Sequence, residues 1–565
     1  MRKSNYNHLP SVRYNRSKFD LSHKRLLSMN LGDVVPLDCV EVLPGDTFIN
    51  KTTALIRLTN PLIKPVMDNM YLDIHHFFVP MRLVYDKTEK IFGNASPSQY
   101  VDEEYARIPF FSDNDNTNDD GLITVTTGSV MDYLGCPIGQ ITADCTPLMA
   151  RGFALIYNHW YRDENVIDET FVPTGEITDT EYPNDNAWSQ SNYLGKLPKA
   201  KKRNDYFTSA LPNAQKGEPV PLPLANGFIS LQNYDSDLPY GSFNLFGDNG
   251  VVSVDGTAND NKLSLGGVSS VSDGNIVTFR NLGVDLSNGY FGNINDLRIA
   301  NATQKYLERS ALYGSRYTEY LNGAFGVTSP DARLQIPEYL GGGRVNINVQ
   351  QVANTNGSNS GSSGQYPDTY LGSLGAFSLS NGFSKYSKGF VEHGYVYTIG
   401  VIKQVHTYSQ GLPKMFTRRS KEDIYDTAFA MIGNQPIYKK EIFARDVENG
   451  NDIFGYKEAW SEYREIPNSV TGLARPTVYS KGISNPNNAD YGTSGLVSWS
   501  MADDYTNAPV LSPSFVQETS TYLNRSLRVG STNDLYSNFI VDFWHDLKAV
   551  RVMPTYSVPS MSSFK

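Results

Sequence analysis

The chain has 565 residues, a formal net charge of −10, 40% hydrophobic residues and only 19% charged residues. That length can bury a large core, and the acidic balance excludes a protein that coats nucleic acid by electrostatics alone. Cys39, Cys136 and Cys145 are too sparse for a disulfide framework or a CxxC zinc pattern. Residues 1–30 hold no continuous apolar core, so no secretory leader or membrane span is expected.

The first 25 residues carry Arg2, Lys3, Arg13, Arg16, Lys18, Lys24 and Arg25 against Asp20, with Tyr6, Tyr14 and Phe19 between them. Cations interleaved with aromatics can hold phosphates and stack on bases. Residues 1–29 are therefore expected to form a basic arm that faces nucleic acid or orders against a neighbouring subunit. Residues 34–58 read as two strands around the turn Pro44-Gly45-Asp46. Met70 to Val79 is a dense β-type segment, with Tyr71, Ile74, Phe77, Phe78 and Val79, and Pro80 ends it because proline cannot donate to a ladder.

The strongest helix signal lies over 146–165. Thr146 can cap, Pro147 takes the first position, and Met149, Phe153, Ile156 and Trp160 recur at helical spacing. A basic run follows, with Lys196, Lys199, Lys201, Lys202 and Arg203 ahead of Tyr206 and Phe207. It offers a second possible patch for nucleic acid, although such runs are more often solvated faces. Residues 214–294 are acidic and rich in Gly, Asn and Ser, and read as an insertion. A helix begins near Asn295. The segment Asn354–Gly364 is too polar to pack and reads as a mobile loop. Val391–Val405 and Leu547–Val552 are further strand candidates.

Few positions suggest chemistry. His75 and His76 are adjacent in a strand, so they point to opposite faces and do not share a metal. His159 and Asp163 share a helix face, without an HExxH pattern or a third ligand. Gly341-Gly342-Gly343-Arg344 lacks the GK[ST] of a phosphate loop and reads as a turn into a strand. Lys414, Arg418 and Arg419 form a smaller basic group. No GxSxG elbow is present. No catalytic residue, cofactor or metal site is expected, and the chain does not read as an enzyme. The dispersed apolar runs separated by Gly, Asn, Asp, Ser and Pro describe a mainly β protein of the sandwich or jelly-roll type with long loops.

Several blocks in register carry a resemblance. EVLPGDTF starts at Glu41, and PLIKPVMDNMYLDIHHFFVPMRLVY ends at Tyr85. FALIYNHWYRDEN spans Phe153–Asn165, and DYFTSALPNAQKG spans Asp205–Gly217. SPDARLQIPEYLGGG spans Ser329–Gly343, and EHGYV starts at Glu392. YSQGLP follows at Tyr408 and FGYKEAWSEYREIP at Phe454. In this order they resemble the major capsid proteins of the Microviridae, in particular the gokushovirus branch.

The resemblance implies a single eight-stranded viral jelly roll with inserted loops and a few helices. Its core would be shared between residues 30–213 and 295–565, with 214–294 forming a surface spike at the threefold axes. It implies about sixty copies in a T=1 icosahedral shell, assembled in the bacterial host cytoplasm and enclosing a circular single-stranded DNA genome. The implied partners are further copies of the chain, a small basic DNA-binding protein, minor virion proteins and a host receptor. The abundance of Tyr (36) and Phe (27) suits a protein that buries surface against its own copies, although both are also strand formers. A trimeric β-rich receptor- or carbohydrate-binding protein is the alternative. A β-sandwich carbohydrate-active enzyme is less favoured, because no pair of essential carboxylates can be named.

Overall fold

Whether a strand is buried on one face or on both is written in its side-chain pattern, and this chain contains both kinds. The computed structural model describes residues 15–59, 68–92, 108–109, 122–142, 145–175, 187–218, 220, 231–233, 243–247, 250–254, 278–279, 282–284, 294–348, 350–353, 374–377, 379–446, 448–472, 475, 501–524, 526–527 and 537–556. It divides into two compact units, Met1–Ala214 with Ala311–Lys565, and Gln215–Ser310. The Asn354–Gly364 loop and residues 1–14 lie outside the described residues.

The larger unit is built on strands β1 (Ser17–Asp20), β2 (His23–Met29), β3 (Val34–Val42), β4 (Thr47–Leu58), β5 (Met70–Pro80), β6 (Glu338–Ile347), β7 (Leu379–Gly389), β8 (Gly394–Gln404) and β9 (Phe539–Arg551). β1 and β2 follow one another along β9, from Ser17 opposite Arg551 to Met29 opposite Phe539, and act as one interrupted strand. Counting that pair once gives eight strands in two antiparallel sheets, ordered β1/β2–β9–β4–β7 and β6–β5–β8–β3. The first strand pairs with the last, β3 with β8, β4 with β7, and β5 with β6. This is the scheme of one long hairpin rolled into a jelly roll. The basic arm expected over 1–29 is thus shorter. Residues 17–29 belong to the sheet because Leu27 and Met29 reach the core on alternate positions.

The sheets differ in how they are covered. In β5 and β8 nearly every residue is buried. Their inner face meets the first sheet through Leu72, Ile74, Ile402, Ile56, Val541 and Phe543. Phe77, Val79, Tyr397, Ile399 and Val401 pack outward against Met81, Val84, Leu148, Phe153, Tyr157 and Tyr193. β4 and β9 instead alternate buried and exposed positions, the signature of a sheet with one solvated face. His76 lies between the sheets, with Nδ1 3.0 Å from Thr398 Oγ1 of β8 and Nε2 2.9 Å from Ser384 Oγ of β7. His75 points the other way, to Tyr161 Oη at 2.8 Å.

The outer cover is centred on α1 (Leu148–Ile156), which runs into a π turn over Tyr157–Tyr161. That turn shifts the helical phase. Tyr157 and Tyr161 enter the core, and Trp160, expected on the apolar face, is 37% exposed. Arg151 is fully buried and donates to the carbonyls of Val84 and Gly175 at 3.0 and 2.9 Å. The Gly341–Gly343 run is not a turn: it lies inside β6, where the edges of the two sheets meet. A Cβ on Gly343 would stand 2.9 Å from the Phe383 carbonyl of β7.

A satellite core of Tyr206, Phe207, Tyr408, Ile437, Ile442, Phe454 and Phe515 forms around the hairpin Asn434–Tyr438 with Ile453–Glu458. In the unit Gln215–Ser310, Phe243–Gly247 pairs with Gly250–Val254 and Thr278–Phe279, and Leu231–Asn233 pairs with Leu282–Val284. Helix α2 (Ile294–Leu312) begins beside Asn295, where a helix was expected.

Gly152 tests the packing of α1. Helix propensity alone favours Gly152→Ala by about 1 kcal/mol. In the fold its Cβ would sit 2.3 Å from Tyr397 Oη, a hydroxyl that donates to the Met149 carbonyl at 2.8 Å. Overpacking of this kind costs about 1–3 kcal/mol, so denaturant unfolding of Gly152→Ala should show a net loss of stability. A gain would mean that α1 does not seat on β8 as described.

Candidate nucleic-acid and assembly surfaces

The bare face of the first sheet collects residues from four distant parts of the chain. Its outward positions on β2 are Lys24, Leu26 and Ser28; on β4, Ile49, Lys51, Thr53, Leu55 and Arg57; on β7, Asn381, Phe383 and Lys385; and on β9, Ile540, Asp542, Trp544, Asp546 and Lys548. Strand register aligns these into rows, one of which runs Lys24–Trp544–Thr53–Phe383. Trp544, on the inner strand β9, and Phe383, on the edge strand β7, are 50% and 56% exposed. Lys18 of β1 extends the face.

The cations Lys18, Lys24, Lys51, Arg57, Lys385 and Lys548 outnumber Asp20, Asp542 and Asp546 on this face. Lys24 is paired with Asp542 at 2.7 Å, and the Lys51 ammonium lies 4.9 Å from the Phe383 ring centre. Lys385 stands directly opposite Lys51 in register. On its other side Lys51 stands opposite Asp546, which offsets this like-charge pairing. Aromatic rings between cations on an open β surface are the chemistry of single-strand binding, in which rings stack on bases and cations follow the phosphates.

The residues singled out from the sequence fall differently. Arg2, Lys3 and Arg13 lie outside the described residues. Arg16 is exposed beside β1, and Lys18 and Lys24 point onto the bare face. Arg25 turns inward and donates to the carbonyls of Leu37 and Leu134 at 3.1 and 3.3 Å.

The run at 199–203 does not form a patch. Lys199 pairs with Asp33, and Lys201 lies 3.9 Å from Glu164. Lys202 is 3% exposed and held 3.0 Å from Asp503. Arg203 is left on the surface. A buried ammonium needs a partner, and Lys202 finds one in a segment remote in sequence. His159 faces Arg162 and Arg316 as well as Glu169 and Asp331, with no ligand cluster among the described residues around it.

Asp503 is the centre of a buried charged cluster. It accepts from Lys202, from His406 Nδ1 at 2.8 Å and from Tyr505 Oη at 2.9 Å, while His406 Nε2 lies 3.0 Å from Glu518. Burial opposes charge on His406, but the carboxylates of Asp503 and Glu518 outweigh it and raise the imidazole to about 9. Burial likewise opposes charge on Asp503, yet His406 and Lys202 hold it well below the usual carboxylate range. The cluster ties the end of β8 to residues 501–518, and its side chains are buried.

A second surface exposes large apolar side chains among charged ones. Residues 412–432 are described throughout and lie mostly exposed, shaped by short 3-10 turns at Lys414–Phe416, Lys421–Asp423 and Thr427–Phe429. The segment is held by Trp460 Nε1 donating to the Phe429 carbonyl at 2.9 Å and by Arg418 stacked over Tyr463. Yet it turns Met415, Phe416, Ile424, Tyr425, Met431 and Ile432 to solvent, with Met431 98% exposed. Large apolar side chains exposed in this number on one short segment are a feature of protein contacts. The sequence offered only its composition as a signal.

A profile of the family described as Capsid protein (F protein) matches residues 7–561. Capsid protein VP1 of Bdellovibrio phage phiMH2K is 35% identical, over 98% of this chain and 96% of its own. Capsid protein VP1 of Chlamydia phage 1 is 33% identical, over 99% and 98%. Capsid protein VP1 of Spiroplasma virus 4 is 32% identical, over 98% and 96%.

The buried cluster sets a pH window. The contribution of His406, raised from 6.5 to about 9, is complete below about pH 6.5 and is lost as pH rises through about 9. That of Asp503, depressed below 3.8, is complete above about pH 4 and is lost as pH falls further. The stability of the wild type against unfolding should therefore fall between pH 7 and 10, and His406→Gln should be less stable at pH 6 and lack that slope. Parallel pH profiles for the two proteins would contradict the assignment.

Proposed function

The chain belongs to the Capsid protein (F protein) family, and on that premise we propose that about sixty copies close into a T=1 icosahedral shell around a circular single-stranded DNA genome. Membership in this family, and the names of the relatives, are those of a structural protein and not of an enzyme. The observation that supports the shell reading is the 412–432 segment, whose exposed apolar side chains call for a neighbour to cover them. Closed symmetry repeats each contact, so modest contacts suffice.

In this reading the bare face of the first sheet lines the interior. Lys18, Lys24, Lys51, Arg57 and Lys385 follow the DNA backbone there, and Trp544 and Phe383 stack on bases. The same DNA-facing role is proposed for Arg2, Lys3, Arg13 and Arg16. With a net charge of −10 the shell cannot neutralise a genome by itself, which leaves a role for a small basic DNA-binding protein beside minor virion proteins. The unit Gln215–Ser310 is the surface projection at the threefold axes and offers a site for host attachment. Assembly takes place in the bacterial cytoplasm, and the protein resides in the virion.

Electron microscopy and light scattering of particles from producing cells test this. Copies of 62.9 kDa should give uniform icosahedral particles of about 3.8 MDa if about sixty assemble. Met431→Asp should leave a folded subunit but abolish the particles, because each interface would then bury an unpaired charge at a cost of about 2 kcal/mol or more. Trimers alone would favour a receptor- or carbohydrate-binding protein, and normal particles from Met431→Asp would remove the 412–432 surface from the assembly contacts.

A further inference from the structure

We infer that His23, Asp38 and His545 form a binding site for a divalent first-row transition cation, zinc in the first instance, that joins the two sheets where the first and last strands meet β3. His23 and His545 are direct register partners on β2 and β9, with stacked rings 5.1 Å between centres. Asp38 comes from β3 of the other sheet and places Oδ1 3.2 Å from His23 Nε2. One ligand atom from each residue lies within 4.8 Å of the other two.

The hydrogen bonds settle which nitrogens are available. His23 Nδ1 lies 2.9 Å from the Leu21 carbonyl. A carbonyl only accepts, so Nδ1 carries a proton, and in the neutral ring Nε2 presents its lone pair to the Asp38 carboxylate. Two acceptors face each other at 3.2 Å, a contact that either a proton or a metal cation between them makes favourable. His545 Nδ1 lies 3.0 Å from Thr52 Oγ1, which also accepts from Asn50 Nδ2 at 3.1 Å. His545 Nε2 is buried and has no protein partner, on a residue that is 0% exposed.

A proton on His23 would satisfy His23 and Asp38 but leave His545 Nε2 orphaned; a metal satisfies all three. Ligating imidazoles characteristically have the other ring N–H held by a carbonyl or a similar partner, and here Leu21 and Thr52 supply those partners. Arg25 forms an ion pair with Asp38 at 3.9 Å but directs its hydrogen bonds to the carbonyls of Leu37 and Leu134, so the carboxylate lone pairs remain available to ligate.

Two imidazoles and one carboxylate are the ligand set of three-residue zinc sites, with a fourth position for water. The hard cations Ca²⁺ and Mg²⁺ require more oxygen ligands than this corner supplies. The His23 side chain is 36% exposed, so the open position faces solvent. Bonds of about 2.0–2.2 Å require the ligand atoms to draw together slightly, and the half-exposed His23 ring has room to move.

Cobalt(II) titration of the full-length chain, stripped with chelator, tests the site. The expected result is a visible ligand-field band that saturates at one equivalent and is displaced by zinc. Thr52→Val keeps all three ligands and should weaken binding about 10-fold or more. His545→Gln and Asp38→Asn should abolish the band. If either buried variant fails to fold, His23→Gln, at the half-exposed position, decides the matter through the same band. Absence of the band in the wild type, or an undiminished band in His23→Gln, would overturn the proposal.

Discussion

The rest of the structure depends on an inequality between two sheets. The second sheet is buried on both faces, so β5 and β8 are apolar along almost their whole length. The first sheet is buried on one face, and its strands alternate. α1, its π turn and the residues near Tyr193 close the outer face of the second sheet. Nothing among the described residues of the larger unit closes the outer face of the first. An uncovered sheet face with cations, Trp544 and Phe383 is the surface that the proposed shell would turn to a partner.

Buried polar groups hold this arrangement in register. His76 bridges the sheets through Ser384 and Thr398. Arg151 braces α1 against two carbonyls. His406, Asp503, Glu518 and Lys202 tie the end of β8 to a segment about a hundred residues further along the chain. Such groups are poor sources of net stability compared with apolar packing, but removing one partner strands another in a dry site. They act against slippage in a fold whose paired strands are separated by long insertions.

The strand signal in β5 was legible because burial on both faces leaves a continuous apolar run that ends at Pro80. The eight-stranded class was legible as well, and matching blocks from Glu41 to Pro467 carried the family. The first strand was not, because Lys18, Lys24 and Arg25 dominate a composition-based reading and mask a period of two. Lys202 looked like part of a surface run, since its partner Asp503 lies 301 residues away. The bare face and the His23–Asp38–His545 corner were invisible for the same reason. Each exists only once β9 has paired with β2 and β4, and local spacing carries no trace of that pairing. The phase shift at Tyr157–Tyr161 is a π turn, which periodicity reasoning does not anticipate.

The claim at the centre of this account is that the uncovered face of the first sheet meets the packaged nucleic acid. Ultraviolet cross-linking of genome-filled particles, followed by mapping of the modified peptides, tests it most directly. Adducts are expected on β4, β7 and β9, concentrated at Trp544, Phe383 and the neighbouring lysines. Adducts confined to other surfaces, with β4, β7 and β9 unmodified, would contradict it.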